Sequence, residues 1–273
     1  MQKSRGITVL MAVLAILFIT PVLIILMNSF KSRLYISDGP FQFPTGDTFV
    51  GLENYFGGVA KTGFFKAFGW TVFITIFSVA LILLCTSMTA WFIIRVKNKF
   101  TSLLYYLFVF AMIVPFQMVM YTMSSVANML YLDNPVGIIF IYLGFGSGLS
   151  VFMFSGFVKS IPLDIEEAAL IDGCNPLQTY FLVVLPILKP TVITVAILNA
   201  MWIWNDYLLP NLVIGKDYQT IPIAIQYLRG GYGSIDMGAM MAMLVLAIVP
   251  IIIFYLSCQK HIIKGVAAGA VKG

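Results

Sequence analysis

Four of the eleven acidic residues, Asp164, Glu166, Glu167 and Asp172, fall within the stretch Ser160–Gly173. Carboxylates so grouped could act as acid and base, but catalysis would need a nucleophile, a base or a metal cluster beside them. The chain has one histidine, His261, and three scattered cysteines, Cys85, Cys174 and Cys258, at no metal or redox spacing. No catalytic residue and no metal site is therefore expected, and the chain is read as no enzyme. Recognition is the chemistry that these carboxylates suit. Glu167 can hydrogen-bond back to a helix N-terminus or pair with a basic group of a partner, and the sequence does not rank the two. A second polar group, Asn199, Trp202, Trp204, Asn205, Asp206 and Tyr207, lies at the end of an apolar run. Aromatic faces stack on sugar rings, while amides and carboxylates bind hydroxyls, so Asn199, Trp202 and Asn205 could line a substrate path. Trp202 and Trp204 are two apart and cannot share a helical face. Trp and Tyr at a span's end also form the interface belt of any membrane protein. Both readings stay open.

The acidic stretch must be carried by a helical hairpin. Asp164 can cap a first helix, with Glu167 as the returning half of a capping box. Gly173 supplies the stop, since it takes a left-handed turn without a Cβ penalty. Asn175 restarts the chain as N-cap, Pro176 suits the first helical position, and Gln178 closes a second box. Pro186 and Pro190 are expected to end the second helix. A helix–glycine–helix hairpin on a surface is a docking element by shape.

Everything around the hairpin is apolar. Sixty per cent hydrophobic residues, ten per cent charged residues and a mean hydropathy of +0.98 exclude a soluble globular domain. Apolar segments at 7–27, 69–94, 102–123, 135–158, 191–209 and 237–257 are each long enough to cross a hydrocarbon core of roughly 30 Å as a helix. That predicts six spans in one membrane domain over 1–273, with a loop at about 159–190 and a tail at about 259–273. The first segment is too long for a cleaved signal peptide and has no small-residue cleavage site, so it is expected to stay as an anchor. No span carries an ionisable residue near its centre, which argues against an ion-coupled secondary transporter. The net charge of +5 is spread over loops and forms no nucleic-acid patch.

Lys3, Arg5, Arg95, Lys97, Lys99, Lys159, Lys260, Lys264 and Lys272 all fall on one side of a six-span arrangement. By the positive-inside rule that side, with both termini and the hairpin, is cytoplasmic. The outer side receives two longer loops, 28–68 and 210–236, able to form short interfacial helices. Pro21 and Pro115 lie inside spans, where kinks are expected. Gly144-Phe145-Gly146-Ser147-Gly148 contains a Gly-xxx-Gly pair suited to close helix packing. It lacks the Lys-Ser/Thr of a phosphate loop.

One pattern is family-specific. Glu167-Ala168-Ala169, three residues, Gly173, nine residues, then Val183-Val184-Leu185-Pro186 resembles the EAA loop of binding-protein-dependent ABC importer permeases. Asn28-Ser29-Phe30-Lys31, Gly51-Leu52-Glu53-Asn54-Tyr55 and Trp204-Asn205-Asp206-Tyr207-Leu208-Leu209-Pro210 resemble segments of carbohydrate permeases. The tail Gln259–Gly273 resembles the ending of the shorter, six-span subunit of maltose-type importers. The resemblance implies an all-α membrane protein of six transmembrane helices with a cytoplasmic coupling-helix hairpin, the type I ABC importer permease fold, in a bacterial cytoplasmic membrane. It implies that Glu166, Glu167, Ala168, Ala169, Asp172, Gly173, Leu185 and Pro186 couple to an ATPase, and that Gly265, Gly269 and Lys272 of the tail reach the ATPase pair. The implied partners are a second homologous permease, two ATPase subunits, an extracytoplasmic solute-binding protein, a sugar substrate and membrane lipids. No nucleic acid is among them. The chain has no Walker A sequence, so ATP and Mg would be used by the partner ATPase, with no cofactor in this chain. The transported solute stays open between a sugar or oligosaccharide and another class.

Overall fold

Inside a bilayer each backbone N–H and C=O must be satisfied within its own segment, so apolar runs of this length fold as helices. The computed structural model describes residues 5–215, 217–228 and 236–270. Among these, helices are the only regular elements apart from one isolated antiparallel bridge between Lys31 and Phe49. In chain order the α-helices are α1 (Arg5–Asn28), α2 (Arg33–Asp38), α3 (Glu53–Thr62), α4 (Phe64–Arg95), α5 (Lys99–Ile113), α6 (Phe116–Met129) and α7 (Gly137–Val158). There follow α8 (Leu163–Ile171), α9 (Pro176–Thr179), α10 (Leu185–Asn205), α11 (Leu208–Val213), α12 (Ile221–Tyr227) and α13 (Met237–Ala270). The chain divides into two compact units, Met1–Phe68 with Ile221–Ile252, and Gly69–Thr220 with Ile253–Gly273.

In the first unit, α1 exposes apolar side chains all round, Ile7, Leu10, Leu14 and Phe18 among them, as a helix surrounded by lipid does. Two of the segments singled out by resemblance meet just beyond its end. The Asn54 amide donates to the carbonyls of Ser29 (2.8 Å) and Lys31 (2.7 Å), and the Tyr55 hydroxyl lies 2.7 Å from Ser29 Oγ. The rings of Phe30 and Tyr55 pack at 5.5 Å, and the buried Lys31 ammonium donates to the Gly39 carbonyl. Carbonyls beyond a helix end have no intrahelical donor, and here one asparagine serves two of them. Gly238 of α13 lies against the same amide: a Cβ there would sit 2.3 Å from Asn54 Oδ1. Lys61 of α3 pairs with Asp236, whose other oxygen accepts from the Ala239 N–H and caps α13. Short helices are present in the long loops as α2, α3 and α12.

The second unit corrects two span predictions. The third expected span is not one helix. α5 and α6 meet at an angle of 106° across Val114-Pro115, so a kink was expected and a break is found. Val114 takes ψ 118° and Pro115 ψ 135°, because a proline ring drives the preceding residue out of the helical region. Among the described residues, five helices are then long and apolar enough to cross a membrane, or six if this bent pair counts as one span. Nor do Pro186 and Pro190 end the hairpin's second helix. The chain stays helical from Pro176 to Asn205, 30 residues, through a π-turn at Tyr180–Val184. There the Leu185 N–H reaches back to the Tyr180 carbonyl, and this wider turn absorbs the proline that follows. The fifth span thus ends at Asn205, before the expected 209.

Close packing among α4, α5, α7 and α10 depends on glycine. A Cβ on Gly148 would lie 2.8 Å from the Phe108 carbonyl oxygen, and one on Gly146 would lie 2.7 Å from Ile82 and 2.9 Å from Asn199 Oδ1. Gly144 faces open space, so the tight approaches come from Gly146 and Gly148 and not from the Gly144–Gly148 pair. α13 continues as helix through the start of the tail to Ala270.

Candidate functional site

The first hairpin helix, α8, begins at Leu163 with Pro162 in the cap position, and no side chain caps it. Asp164 therefore lies inside the first turn, where its charge faces the positive helix end, and the expected Asp164–Glu167 capping box is not formed. The turn is as expected. Gly173 has φ +88°, its N–H donates to the Leu170 carbonyl and the Cys174 N–H to that of Ala169. These two bonds make a Schellman stop. Asn175 and Gln178 exchange side-chain-to-backbone bonds of 2.9 Å in both directions, with Pro176 at the first position of α9.

Helical spacing divides the carboxylates of α8 between two faces. Glu166 and Ala169, three apart, turn inward with Ile161. Asp164, Glu167, Ala168 and Asp172 are exposed. Glu166 is 5 % exposed, and both its oxygens are used. Oε1 accepts from Arg95 Nε (3.0 Å) and Nη2 (2.7 Å), and Oε2 from Trp91 Nε1 (2.9 Å). Arg95 Nη2 also donates to the Ile161 carbonyl at 3.0 Å. The end of α4 thus grips the start of the hairpin by a guanidinium fork and an indole, the geometry for which arginine is suited. Arg95 counted in sequence only as a topology charge, and Trp91 drew no attention.

The other arm is held as firmly. Tyr180 is fully buried, its hydroxyl bonds to Ser87 of α4, and its ring packs 5.5 Å from Trp91. Around it Ile93, Val151, Phe154, Val184 and Leu188 form one buried cluster, with Leu185 packed against it and Pro186 exposed. Lipid is as apolar as these side chains, so their gain is tight van der Waals packing, and the polar ties add direction. The hairpin is therefore packed against α4, α7 and α10 and hydrogen-bonded to α4. Its tip is left bare: Leu170 and Leu177 are exposed, and Ile171 is 86 % exposed beside the acidic residues. Apolar side chains grouped on a polar hairpin mark a contact surface. Sequence inspection passed over them because Leu and Ile look ordinary in so apolar a chain.

The polar group at the end of α10 separates. Asn199 is 5 % exposed, and its amide donates to Ser150 Oγ (3.1 Å) and the Val195 carbonyl (2.9 Å), tying α10 to α7. Trp202 is 40 % exposed, edge-on to Tyr142 at 5.4 Å, and Asn205 is exposed with its amide on the Met201 carbonyl. Asp206 ends α10, accepts from the Leu208 N–H, and takes a bond from the Tyr142 hydroxyl at 3.1 Å. In the tail, Gly265 and Gly269 fall within α13, while Lys272 lies outside the described residues. Among the described residues, no group of three His, Cys, Asp or Glu side chains is placed to hold a metal ion.

Comparison with known proteins agrees with this architecture. The chain is 42 % identical over 266 residues, 97 % of its length and 96 % of the relative's, to a probable starch degradation products transport system permease protein, AmyC, of Thermoanaerobacterium thermosulfurigenes. It is 36 % identical to the multiple sugar-binding transport system permease protein MsmG of Streptococcus mutans, over 97 % of this chain and 95 % of that one. It is 31 % identical to the melibiose/raffinose/stachyose import permease protein MelC of Bacillus subtilis, over 100 % and 98 %. Among solved structures, the fold matches a chain of a bacterial ABC transporter involved in the import of the acidic polysaccharide alginate. The TM-score is 0.74 at 23 % identity, covering 94 % of this chain and 95 % of that one. Residues 82–268, which carry the anchored hairpin, match the binding-protein-dependent transport system inner membrane component family, and the chain belongs to that family.

Proposed function

We propose that this chain is one half of the translocation pore of an ABC importer for a sugar or oligosaccharide. The observation that carries the reading is the hairpin, clamped to α4 through Arg95–Glu166 while Leu170, Ile171 and Leu177 stand bare at its tip. A contact surface on a rigid lever passes the movement of a docked ATPase to the spans without loss in a flexible loop. The relatives named for starch degradation products, multiple sugars and melibiose/raffinose/stachyose support the substrate class. The partners are a second permease, two ATPase subunits that use ATP and Mg, and an extracytoplasmic binding protein. Both termini and the hairpin face the cytoplasm. ATP closes the ATPase pair, the hairpins follow, and the spans open outward to accept the solute. Hydrolysis resets them. The hairpin's contacts must differ in free energy between the two states for this to occur. Sugar contact in this chain falls to Trp202 and Asn205, since the Asn199 amide is committed to helix packing. The tail residues Gly265, Gly269 and Lys272 are assigned to the ATPase pair.

The test is uptake of labelled oligosaccharide by proteoliposomes holding the assembled transporter. Uptake is expected to need ATP inside and binding protein outside. Uptake that persists without ATP and collapses with a protonophore would replace this reading with a secondary transporter. ATP-dependent uptake of amino acids or peptides but no sugar would replace the substrate.

A further inference from the structure

We infer that α4, α5 and α7 form a binding site for the phosphate of an anionic membrane lipid, on the same membrane face as the hairpin. Two adjoining cavities of about 220 and 390 Å³ open there, and both are lined by Lys97 and Lys159 together with Ile93 and Ile94. Tyr105 and Tyr106 line the smaller cavity, and Arg95 lines the larger. Among the described residues no acidic one lines either cavity, and the Arg95 charge is already met by Glu166. Among the described residues neither lysine has a carboxylate within ion-pair distance. The Lys159 ammonium instead stands 5.6 Å over the Tyr105 ring. A cation held over an aromatic face beside a second, unpaired one is poised for an anion.

The surface below the cavities favours a lipid over a soluble anion or an acidic protein segment. Tyr106 of α5, which lines the smaller cavity, is followed one and two turns on by Phe110 and Ile113, all three exposed on one helix face. They form an apolar stripe that starts at the cavity and runs along the helix. An anionic headgroup with an acyl chain satisfies both the charge and the stripe, whereas an acidic peptide or a phosphate ion satisfies only the charge. Basic pockets between helices at the membrane surface recognise headgroups in this way. The side of the membrane rests on the orientation proposed above, but the lipid preference does not.

The experiment is native mass spectrometry of the assembled transporter, purified with phosphatidylglycerol or phosphatidylcholine added. Wild type is expected to retain phosphatidylglycerol in preference, and excess inorganic phosphate should not displace it. Lys97→Gln with Lys159→Gln should lower phosphatidylglycerol retention roughly thirtyfold. Both side chains are exposed, so folding is not at stake, and Lys97→Arg with Lys159→Arg should retain the lipid. Four results would overturn the site: equal retention of the two lipids, unchanged phosphatidylglycerol in the glutamine variant, loss of the arginine variant's lipid, or displacement by inorganic phosphate. A glutamine variant that keeps its phosphatidylglycerol but sheds ATPase subunits would assign this face to the ATPase. None of these readouts involves sugar or transport, so the site can fail while the proposed function stands.

Discussion

Arg95 holds Glu166 by two nitrogens on one carboxylate oxygen, at 3.0 and 2.7 Å, in a pair whose members are 19 % and 6 % exposed. The pair closes the joint between a transmembrane helix and the hairpin that follows two spans later. A buried pair of this kind contributes little against a well-packed apolar replacement, yet removing one member costs about 3–5 kcal/mol, because it strands a charge. Arg95→Gln should therefore loosen the hairpin from α4. Pull-down of the ATPase subunits should fall with uptake, while insertion remains. Arg95→Met combined with Glu166→Met should recover thermal stability towards wild type. A single variant as stable and active as wild type would remove the pair from the coupling lever.

Local chemistry made much of this hairpin legible in sequence. The Gly173 stop, the Asn175–Gln178 box and the Pro176 start each depend on bonds spanning six residues or fewer, and all three are present. The clamp on Glu166 depends on a residue 71 positions away, which no local rule reaches. It also assigns different work to adjacent carboxylates, since Glu166 turns inward and Glu167 outward. The prolines divide by context. Pro115 breaks its helix because Val114 yields to the extended region, whereas a π-turn carries the helix through Pro186. Six apolar stretches were legible, but whether a proline bends, breaks or passes is decided by the packing around it.

Asn54 is expected to be the donor on which the segment between α1 and α4 depends. Asn54→Asp keeps the shape and removes both N–H groups, leaving the Ser29 and Lys31 carbonyls facing a carboxylate. Each unsatisfied buried group costs about 1–3 kcal/mol. Limited proteolysis from outside should cut the segment between α1 and α4 faster, with membrane level unchanged. Gly238→Ala should act in the same direction, since its Cβ would meet a side chain already pinned by two bonds. Protease resistance equal to wild type in both variants would show that the clasp is not needed.

Cys174 gives the orientation a direct reading. It follows Gly173 at the hairpin turn and is half-buried, while Cys85 lies within α4 and Cys258 within α13. In single-cysteine variants, an impermeant thiol reagent should leave Cys174 unmodified on intact right-side-out cells and label it once the membrane is opened. Cys85 and Cys258 should stay unmodified in both cases. Labelling of Cys174 from outside would invert the topology.

Gly173 and Glu167 test the coupling itself, because neither takes part in the ties that hold the hairpin to α4. A Cβ at Gly173 would meet nothing within 4 Å, so substitution there acts through the backbone alone, at φ +88°. An L-residue forced into that region costs about 1–2 kcal/mol, least for Asn and more for a β-branched side chain. Uptake should therefore fall in the order Asn, Ala, Val, as the Schellman stop gives way and α9 is misaimed against the ATPase. Glu167 is exposed, and Glu167→Lys reverses a charge on the proposed docking face without touching the Arg95–Glu166 clamp. Both Gly173→Val and Glu167→Lys should leave membrane level and the binding protein's affinity for sugar near wild type. ATPase docking, sugar-stimulated hydrolysis and uptake should fall together, by at least tenfold for about 1.4 kcal/mol of lost docking free energy. If uptake survives both substitutions, the hairpin is not the coupling element, and the bare Leu170–Ile171 tip must serve some other contact.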